Sequence, residues 1–318
     1  TDTFSAFILR CQDFLYLNGF SGMVTMQSWM FLSSFEEFRK HIIDNTIIHS
    51  LSHFGWHVMR IAFGTCSFVL QKAKPAEELK GVYSYVEIED IDREKEIPFI
   101  FPKKDNGRFN IVYQKDFEKI PTNIICYWIS PHELALYQRG DLLENYSHPA
   151  KGIDTGENDY FLRLWHEVSF NRIDTIFGSG DWVPYNKGGE FRRWYGNREY
   201  ILRWNGSESE LRSRLDWTKK KPTLRNKQHW FKKGFTWTTV SGGGFSARYC
   251  EEGALFDNGG CTLFADENLL LLGGLINSKV ADRYLEFLAP TLNFQPGDIG
   301  LIAIETKIFT LKETLSNI

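Results

Sequence analysis

The first 70 residues alternate between helical and strand-like patterns, and this alternation restricts the fold more than any other feature. Residues 4–17 carry apolar side chains at helical spacing, and an Asn-Gly pair follows them. Short apolar strands are predicted at 23–26, 47–51 and 63–70, and a capped helix at 35–43. Helix, strand, helix, strand, strand is the order of an open α/β sheet that ends in a hairpin.

The remainder of the chain predicts a different organisation. Residues 76–120 are charged and interrupted by proline, which is typical of a connector. From residue 121 to 318, short strands and helices follow one another irregularly, and this pattern predicts an α+β domain. The fold class predicted for the whole chain is therefore α/β plus α+β.

A basic, aromatic-rich stretch runs from Trp182 to Arg248. Between Lys187 and Arg248 the chain has 15 Lys and Arg residues and 5 Asp and Glu residues, a net charge of +10, whereas the whole chain carries −3. The rest of the chain therefore carries −13. Cations interleaved with aromatic rings are typical of a face that binds a polyanion. The alternative is a solvated basic surface whose aromatic side chains lie in a core.

Several classes of protein are not supported by the sequence. The five cysteines form no Cys-x-x-Cys pair, which favours reduced thiols and a cytoplasmic protein over a disulfide framework or zinc site. No apolar run is long enough to span a membrane. The glycine clusters at 242–244 and 259–260 do not have the spacing of a nucleotide-binding loop. His49, His53 and His57 are four residues apart, but they straddle a predicted strand end, so no metal site is predicted.

Four segments carry a family resemblance. They are residues 18–34 (NGFSGMVTMQSWMFLSS), 155–163 (TGENDYFLR), 184–196 (PYNKGGEFRRWYG) and 273–281 (GGLINSKVA). In this order they closely resemble PglX-family adenine-specific DNA methyltransferases of BREX phage-defence systems. The resemblance runs over nearly the whole chain. It implies that residues 1–75 are the C-terminal portion of a Rossmann-like methyltransferase sheet, and that 121–318 form a DNA target-recognition domain.

The sequence also departs from the family pattern. Such enzymes resemble a class with a glycine-containing S-adenosylmethionine loop and an Asn-Pro-Pro-Tyr motif that binds the extruded adenine. Neither occurs in the 318 residues. We therefore expect that the catalytic half lies outside this chain, that S-adenosylmethionine is the cofactor of an intact parent only, and that the chain alone transfers no methyl group.

One part of an adenine pocket is implied within the first domain. In related adenine methyltransferases, an aromatic residue in the loop before the last hairpin strand packs against the extruded base, which leaves the stack at a cost of a few kcal/mol. In this chain Phe54 and Trp56 are the candidates. The alternative is an aromatic side chain that packs the edge of the sheet.

The resemblance implies double-stranded DNA as a partner, together with the missing N-terminal catalytic region and other phage-defence proteins, without membrane association. The predicted phosphate contacts are Lys187, Arg192, Arg193, Lys219, Lys220, Lys221 and Arg225. The residues predicted nearer the bases are Asn186, Trp194, Tyr195, Asn197, Ser241 and Arg248. Two alternatives stay open: a free-standing specificity subunit that binds DNA, and an interaction scaffold that binds other defence proteins.

Overall fold

The structure groups the chain into two units, residues 1–139 and residues 140–318. It is a computed structural model, and it describes residues 2–55, 58, 61, 63–101, 107–174, 180–213 and 221–311. The first unit contains the predicted sheet and the predicted connector, because residues 80–85 and 109–113 form strands of that sheet. The functional division predicted at residues 75 and 120 stays a prediction.

The first unit consists of three helices and seven strands within its described residues. The helices are α1 (Thr3–Phe14), α2 (Glu36–Asn45) and α3 (Pro131–Arg139). The strands are β1 (Phe20–Met26), β2 (Ile47–Gly55), β3 (Thr65–Gln71), β4 (Lys80–Tyr85), β5 (Ile91–Asp92), β6 (Ile97–Pro98) and β7 (Phe109–Tyr113).

The main sheet of this unit has the strand order β1-β3-β2-β4-β7. Strand β3 is antiparallel to both β1 and β2, and β4 is parallel to β2. Strands β1, β2 and β4 therefore point in one direction, and their carboxyl ends lie at the same edge of the sheet. The helix–strand order predicted for the first 70 residues is confirmed.

Apolar alternation on β3 explains how the sheet acquires a core face. Cys66, Phe68 and Leu70 are buried, whereas the residues between them are partly exposed. Side chains alternate between the faces of a strand, so this period of two places the three residues on one face. The ring of Phe68 meets that of Trp29 edge-on, with 5.4 Å between their centroids.

A buried arginine fixes the loops beside α2. Arg39 has no exposed surface, and its guanidinium donates to the carbonyl oxygens of Trp29 at 3.0 Å, Leu32 at 2.6 Å and Thr122 at 2.7 Å. Burial lowers the pKa of Arg39 to about 10, so the group stays charged near neutral pH. One cation thus joins segments that are more than 80 residues apart in sequence.

The second unit contains ten short strands and five helices within its described residues. The strands are β8 (Asp141–Leu142), β9 (His148–Ala150), β10 (Leu162–Leu164), β11 (Trp182–Asn186), β12 (Tyr200–Arg203), β13 (Gly234–Trp237), β14 (Ala247–Cys250), β15 (Leu255–Phe256), β16 (Thr262–Phe264) and β17 (Ala303–Ile304). The helices are α4 (Asn158–Phe161), α5 (Ser209–Ser213), α6 (Leu269–Ile276), α7 (Lys279–Leu288) and α8 (Pro296–Gly300).

Two four-stranded sheets form the centre of this unit. One has the order β10-β12-β11-β15 and the other β14-β13-β16-β9. Strand β15 runs parallel to β11, and after the turn at 257–261 the chain enters the other sheet as β16. The core beneath the first sheet includes Phe161, Val183, Tyr185, Leu202 and Leu255, all buried.

Both units combine helices with sheets, so the predicted mixed α/β class is confirmed. No helix in the described part of the chain has the length and apolar character needed to cross a membrane.

Replacing Arg39 with Met is expected to lower the free energy of unfolding by about 3 kcal/mol, because buried carbonyl groups lose a charged donor. Arg10 is a matched control, since its side chain is 62% exposed and contacts Asp13 and the Phe14 ring within the same helix. Arg10→Met should change stability by less than about 0.5 kcal/mol. Urea denaturation of both variants measures the difference, and equal changes would contradict the role given to Arg39.

Candidate nucleic-acid interface

The candidate interface begins where β11 ends. Asn186 is buried, and its side-chain amide lies 2.8 Å from the Cys250 sulfur on β14. The chain then leaves the sheet through Gly188 and Gly189, at φ values of +94° and +133° that favour glycine. The Gly189 carbonyl accepts a hydrogen bond of 2.8 Å from the Thr238 hydroxyl. The loop of residues 187–199 therefore starts in a fixed direction.

This 187–199 loop is docked along β14 by backbone hydrogen bonds. The N–H of Trp194 donates to the Ala247 carbonyl at 3.1 Å, and the N–H of Tyr249 donates to the Trp194 carbonyl at 2.8 Å. The side-chain amide of Asn197 donates to the Glu190 carbonyl at 2.9 Å and closes the loop on itself. The loop is thus an ordered extension of the β14 sheet.

Three aromatic side chains project from the loop into solvent. Phe191 is 46% exposed, Trp194 57% and Tyr195 63%. The alternative of Trp194 and Tyr195 as core residues is therefore not what the structure shows. Large apolar rings exposed together are unusual on a surface that meets only water.

The arginines of the loop are paired with carboxylates. Arg192 lies 3.8 Å from Glu199, Arg193 lies 3.0 Å from Asp282 on α7, and Arg198 lies 3.5 Å from Glu251. These side chains are partly exposed, and such pairs contribute about 0–1 kcal/mol each. A phosphate could therefore replace the carboxylates at low cost.

Three other predicted cations are differently placed. The ammonium of Lys187 lies 5.0 Å above the centre of the Tyr200 ring, and Arg225 donates to the Asn258 side-chain oxygen at 3.1 Å. Lys221 and Arg225 are exposed, and Lys187 is partly exposed. Among the described residues, none of the three forms an ion pair with a carboxylate. Lys219 and Lys220 lie outside the described residues.

Arg248 lies on β14 directly opposite Trp194 of the loop. Arg248 has no exposed surface. Its Nη1 donates to the Ser246 carbonyl at 3.5 Å, and its Nη2 donates to the Thr238 hydroxyl at 3.4 Å. Its Nε has no partner in the described part of the chain. Burial lowers the pKa of Arg248 to about 10. Contact of this side chain with a base stays a prediction, and it requires a rearrangement that exposes the guanidinium.

Ser241 and Asn197 are also buried, at 9% and 6% exposure, so their side chains face the protein. The structure thus brings the 187–199 loop and Arg248 together at β14, whereas the Ser241 N–H donates to the Leu292 carbonyl. It leaves solvent access mainly to the aromatic residues and to the loop cations. Base contact by Asn186, Asn197 and Ser241 stays a prediction.

The predicted adenine-pocket residues lie in the first unit. Phe54 is 7% exposed and packs with Val58, Val86 and Ile91. This is the packing role that the sequence left open as an alternative. Trp56 lies outside the described residues. A role for either residue against an extruded base stays a prediction.

The carboxyl edge of the first sheet holds polar residues that the sequence analysis did not single out as a group. His53 is 9% exposed, and its Nε2 lies 2.7 Å from the Gln27 side-chain oxygen. Burial lowers the pKa of His53 to about 4, so the ring is neutral at pH 7. The Tyr85 ring meets it edge-on at 5.0 Å. The parallel direction of β1, β2 and β4 was the signal that could have grouped them.

No three His, Cys, Asp or Glu side chains are grouped to hold a metal ion among the described residues.

Comparison with known proteins links this arrangement to a family. Residues 1–58 match the family of the Eco57I restriction-modification methylase. The adenine-specific methyltransferase PglX of Lacticaseibacillus casei (strain Zhang) is 36% identical over 94% of this chain, which covers 26% of that protein. The adenine-specific methyltransferase BrxX of Escherichia coli O9:H4 (strain HS) is 36% identical over 94% of the chain, which covers 25% of it.

The predicted resemblance to the PglX family is confirmed. The chain spans about a quarter of the length of PglX and BrxX. Among solved structures, the type IIL restriction-modification enzyme MmeI, determined in complex with DNA, aligns with the whole chain at a TM-score of 0.57 and 12% identity. The chain covers 45% of MmeI, and at this identity the likeness concerns the fold.

Replacing Gly188 with Ala is expected to lower the free energy of unfolding by about 2 kcal/mol, because a non-glycine residue at positive φ is strained. The added Cβ would also lie 2.8 Å from the Gly259 carbonyl oxygen. At Gly242 a Cβ meets nothing within 4 Å, so Gly242→Ala is the matched control and should be nearly neutral. Thermal denaturation that showed equal losses would contradict the fixed geometry of the loop start.

Proposed function

We propose that this chain is the DNA-recognition portion of a site-specific adenine DNA methyltransferase used in phage defence, of restriction-modification or BREX-like type. The similarity to PglX and BrxX supports the methyltransferase part of this proposal. The observation that carries the DNA-recognition part is the 187–199 loop, which combines exposed rings with arginines whose carboxylate partners are themselves partly exposed. Cations neutralise phosphates, and aromatic faces stack on bases.

We assign the DNA-binding face to the second unit, and in particular to residues 187–199, Lys221 and Arg225. Lys187, Arg192 and Arg193 would contact phosphates from the docked loop. The docking along β14 matters because a pre-ordered loop loses little conformational entropy when it binds. The target sequence would be read by groups that reach base edges from this face.

We further propose that the first sheet is the C-terminal portion of a Rossmann-like methyltransferase sheet. Its parallel strands β1 and β2 with an antiparallel β3 between them support this assignment. Strand β1 lies at the edge of the sheet, and its Phe20 and Val24 are 57% and 48% exposed. An apolar edge strand is a surface that proteins normally cover. The missing catalytic region is the partner proposed to cover it.

The residues present do not fit a complete S-adenosylmethionine site. The sequence has no glycine loop of the required spacing and no Asn-Pro-Pro-Tyr motif. At the carboxyl edge of the first sheet, the half-buried Gln27 contacts Nε2 of the buried His53, and Nδ1 of His53 has no partner among the described residues. One open ring nitrogen does not make a cofactor site. We therefore assign cofactor binding and methyl transfer to the remainder of a longer parent protein.

Replacing Lys187 or Lys221 with Ala is expected to reduce the salt dependence of duplex binding. Each lost phosphate contact should lower the slope of log affinity against log salt by about 0.9. Lys307 is the matched control, because its side chain is 83% exposed beside Glu305 in the same unit. Titration of one duplex at several salt concentrations gives the slopes. Unchanged slopes for Lys187→Ala and Lys221→Ala would contradict the proposed face.

The chain alone is expected to bind no S-adenosylmethionine and to methylate no DNA, because the cofactor loop is absent. Isothermal titration calorimetry with the cofactor and incorporation of a labelled methyl group into duplex DNA check the two halves of this expectation. Binding of the cofactor by these 318 residues would overturn the assignment of catalysis to the rest of the parent. Duplex binding without either signal is the predicted result.

A further inference from the structure

Trp194 has a strained backbone without a packing benefit. Its φ is +76°, a left-handed conformation in which the Cβ of a large side chain is crowded. Most other non-glycine residues with positive φ in the described chain are asparagines, which tolerate it. Phe231 also has a positive φ, of 63°, but it packs against the core. The indole of Trp194 is 57% exposed, so burial does not offset its strain.

The strain persists because the backbone on both sides is held. Trp194 forms a bridge with Arg248 on β14, through the hydrogen bonds of 3.1 Å and 2.8 Å that flank that residue. Strained residues that persist under such restraint cluster at functional sites. The restraint has one clear geometric result, which is an indole fixed outward on a rigid support.

A second observation at the same place points to a ligand. Directly across the bridge from Trp194, the Arg248 guanidinium is fully buried, and its Nε has no partner within the described residues. An under-satisfied buried cation is costly, and such groups require an explanation. A positive charge beside the loop would favour an anionic partner at the loop surface.

We propose that Trp194 is a stacking wedge that inserts its indole against a nucleobase of bound DNA and partly unstacks a base step. This proposal rests on the proposed DNA-binding function and deepens it. Phe191 and Tyr195 flank the wedge, while Arg192 and Arg193 lie beside it to meet the phosphates. Every base has a face on which an indole can stack, so the contact supplies affinity and DNA distortion with little dependence on sequence.

DNA is favoured over a protein partner by the charge around the rings. The guanidinium of Arg193 lies 5.6 Å from the centre of the Phe191 ring, and that of Arg198 lies 5.4 Å from the Tyr195 ring. An aromatic ring next to a guanidinium offers a surface for stacking to a base and a positive charge for a phosphate.

The test compares the 318-residue chain with Trp194→Ala and Trp194→Gly, using Trp165→Ala as the matched control. Trp165 is 53% exposed in the same unit and has no positive φ. One mixed-sequence duplex is titrated at several salt concentrations.

Both Trp194 variants should weaken binding about 5- to 150-fold, the range for loss of one stacked base. Their salt slopes should match that of the wild type, because no phosphate contact is lost. The control should bind as the wild type does.

Two further readouts identify the mechanism. A duplex carrying 2-aminopurine should gain fluorescence when the wild-type chain unstacks the base, and the Trp194 variants should abolish this gain. In thermal denaturation without DNA, Trp194→Gly should melt at or above Trp194→Ala, because glycine accepts the positive φ.

The outcomes separate this inference from the function on which it rests. If the wild-type chain fails to bind duplex DNA, the proposed function and the wedge both fall. If it binds and Trp194→Ala binds equally well, only the wedge falls and the DNA-binding function stands. A weakened variant with a reduced salt slope would show that Trp194 supports phosphate contacts instead. Melting of Trp194→Gly below Trp194→Ala would overturn the strain argument.

Discussion

The two backbone hydrogen bonds that attach Trp194 to β14 are the interaction on which the proposed DNA-binding face depends. They turn the 187–199 loop into an ordered strip of the sheet. A net contribution of about 1 kcal/mol for each bond is modest. Their effect on geometry is larger, because they determine the direction of three exposed rings and place the loop arginines beside carboxylates on α7 and after β14.

Part of the charge on this face is neutralised in the free protein. The 187–248 stretch carries +10, and two of its loop arginines, Arg193 and Arg198, pair with Asp282 and Glu251, which lie outside it. The buried arginines differ in a related way. Arg39 donates to the carbonyls of three residues at short distances, whereas Arg248 has only long contacts. Arg39 stabilises the fold of the first unit, and Arg248 lies next to the face proposed to bind a polyanion.

The sequence predicted those features that local patterns determine. Apolar periods predicted the first helices and strands. Charge composition indicated a basic face. The ion pairs could not be predicted, because Arg193 and Asp282 are 89 residues apart and meet only through the tertiary fold.

Side-chain exposure and backbone strain were equally beyond the sequence. Arg248 has the residue type of a base reader, but its place on β14 buries it. Tryptophan is a residue type that is usually largely buried. Only the structure of the loop shows that Trp194 has a positive φ and an exposed side chain. Residue type alone therefore could not decide which of these side chains is accessible to DNA, because that depends on how the loop pairs with β14.

Hydrogen–deuterium exchange with and without duplex DNA tests the central claim most directly, because it locates the bound surface without changing a residue. We predict that bound DNA slows exchange in peptides covering residues 187–199 and 240–249, with little change across β1 to β3. Slowed exchange confined to the first unit, or unchanged exchange at 187–199 while DNA is bound, would contradict it.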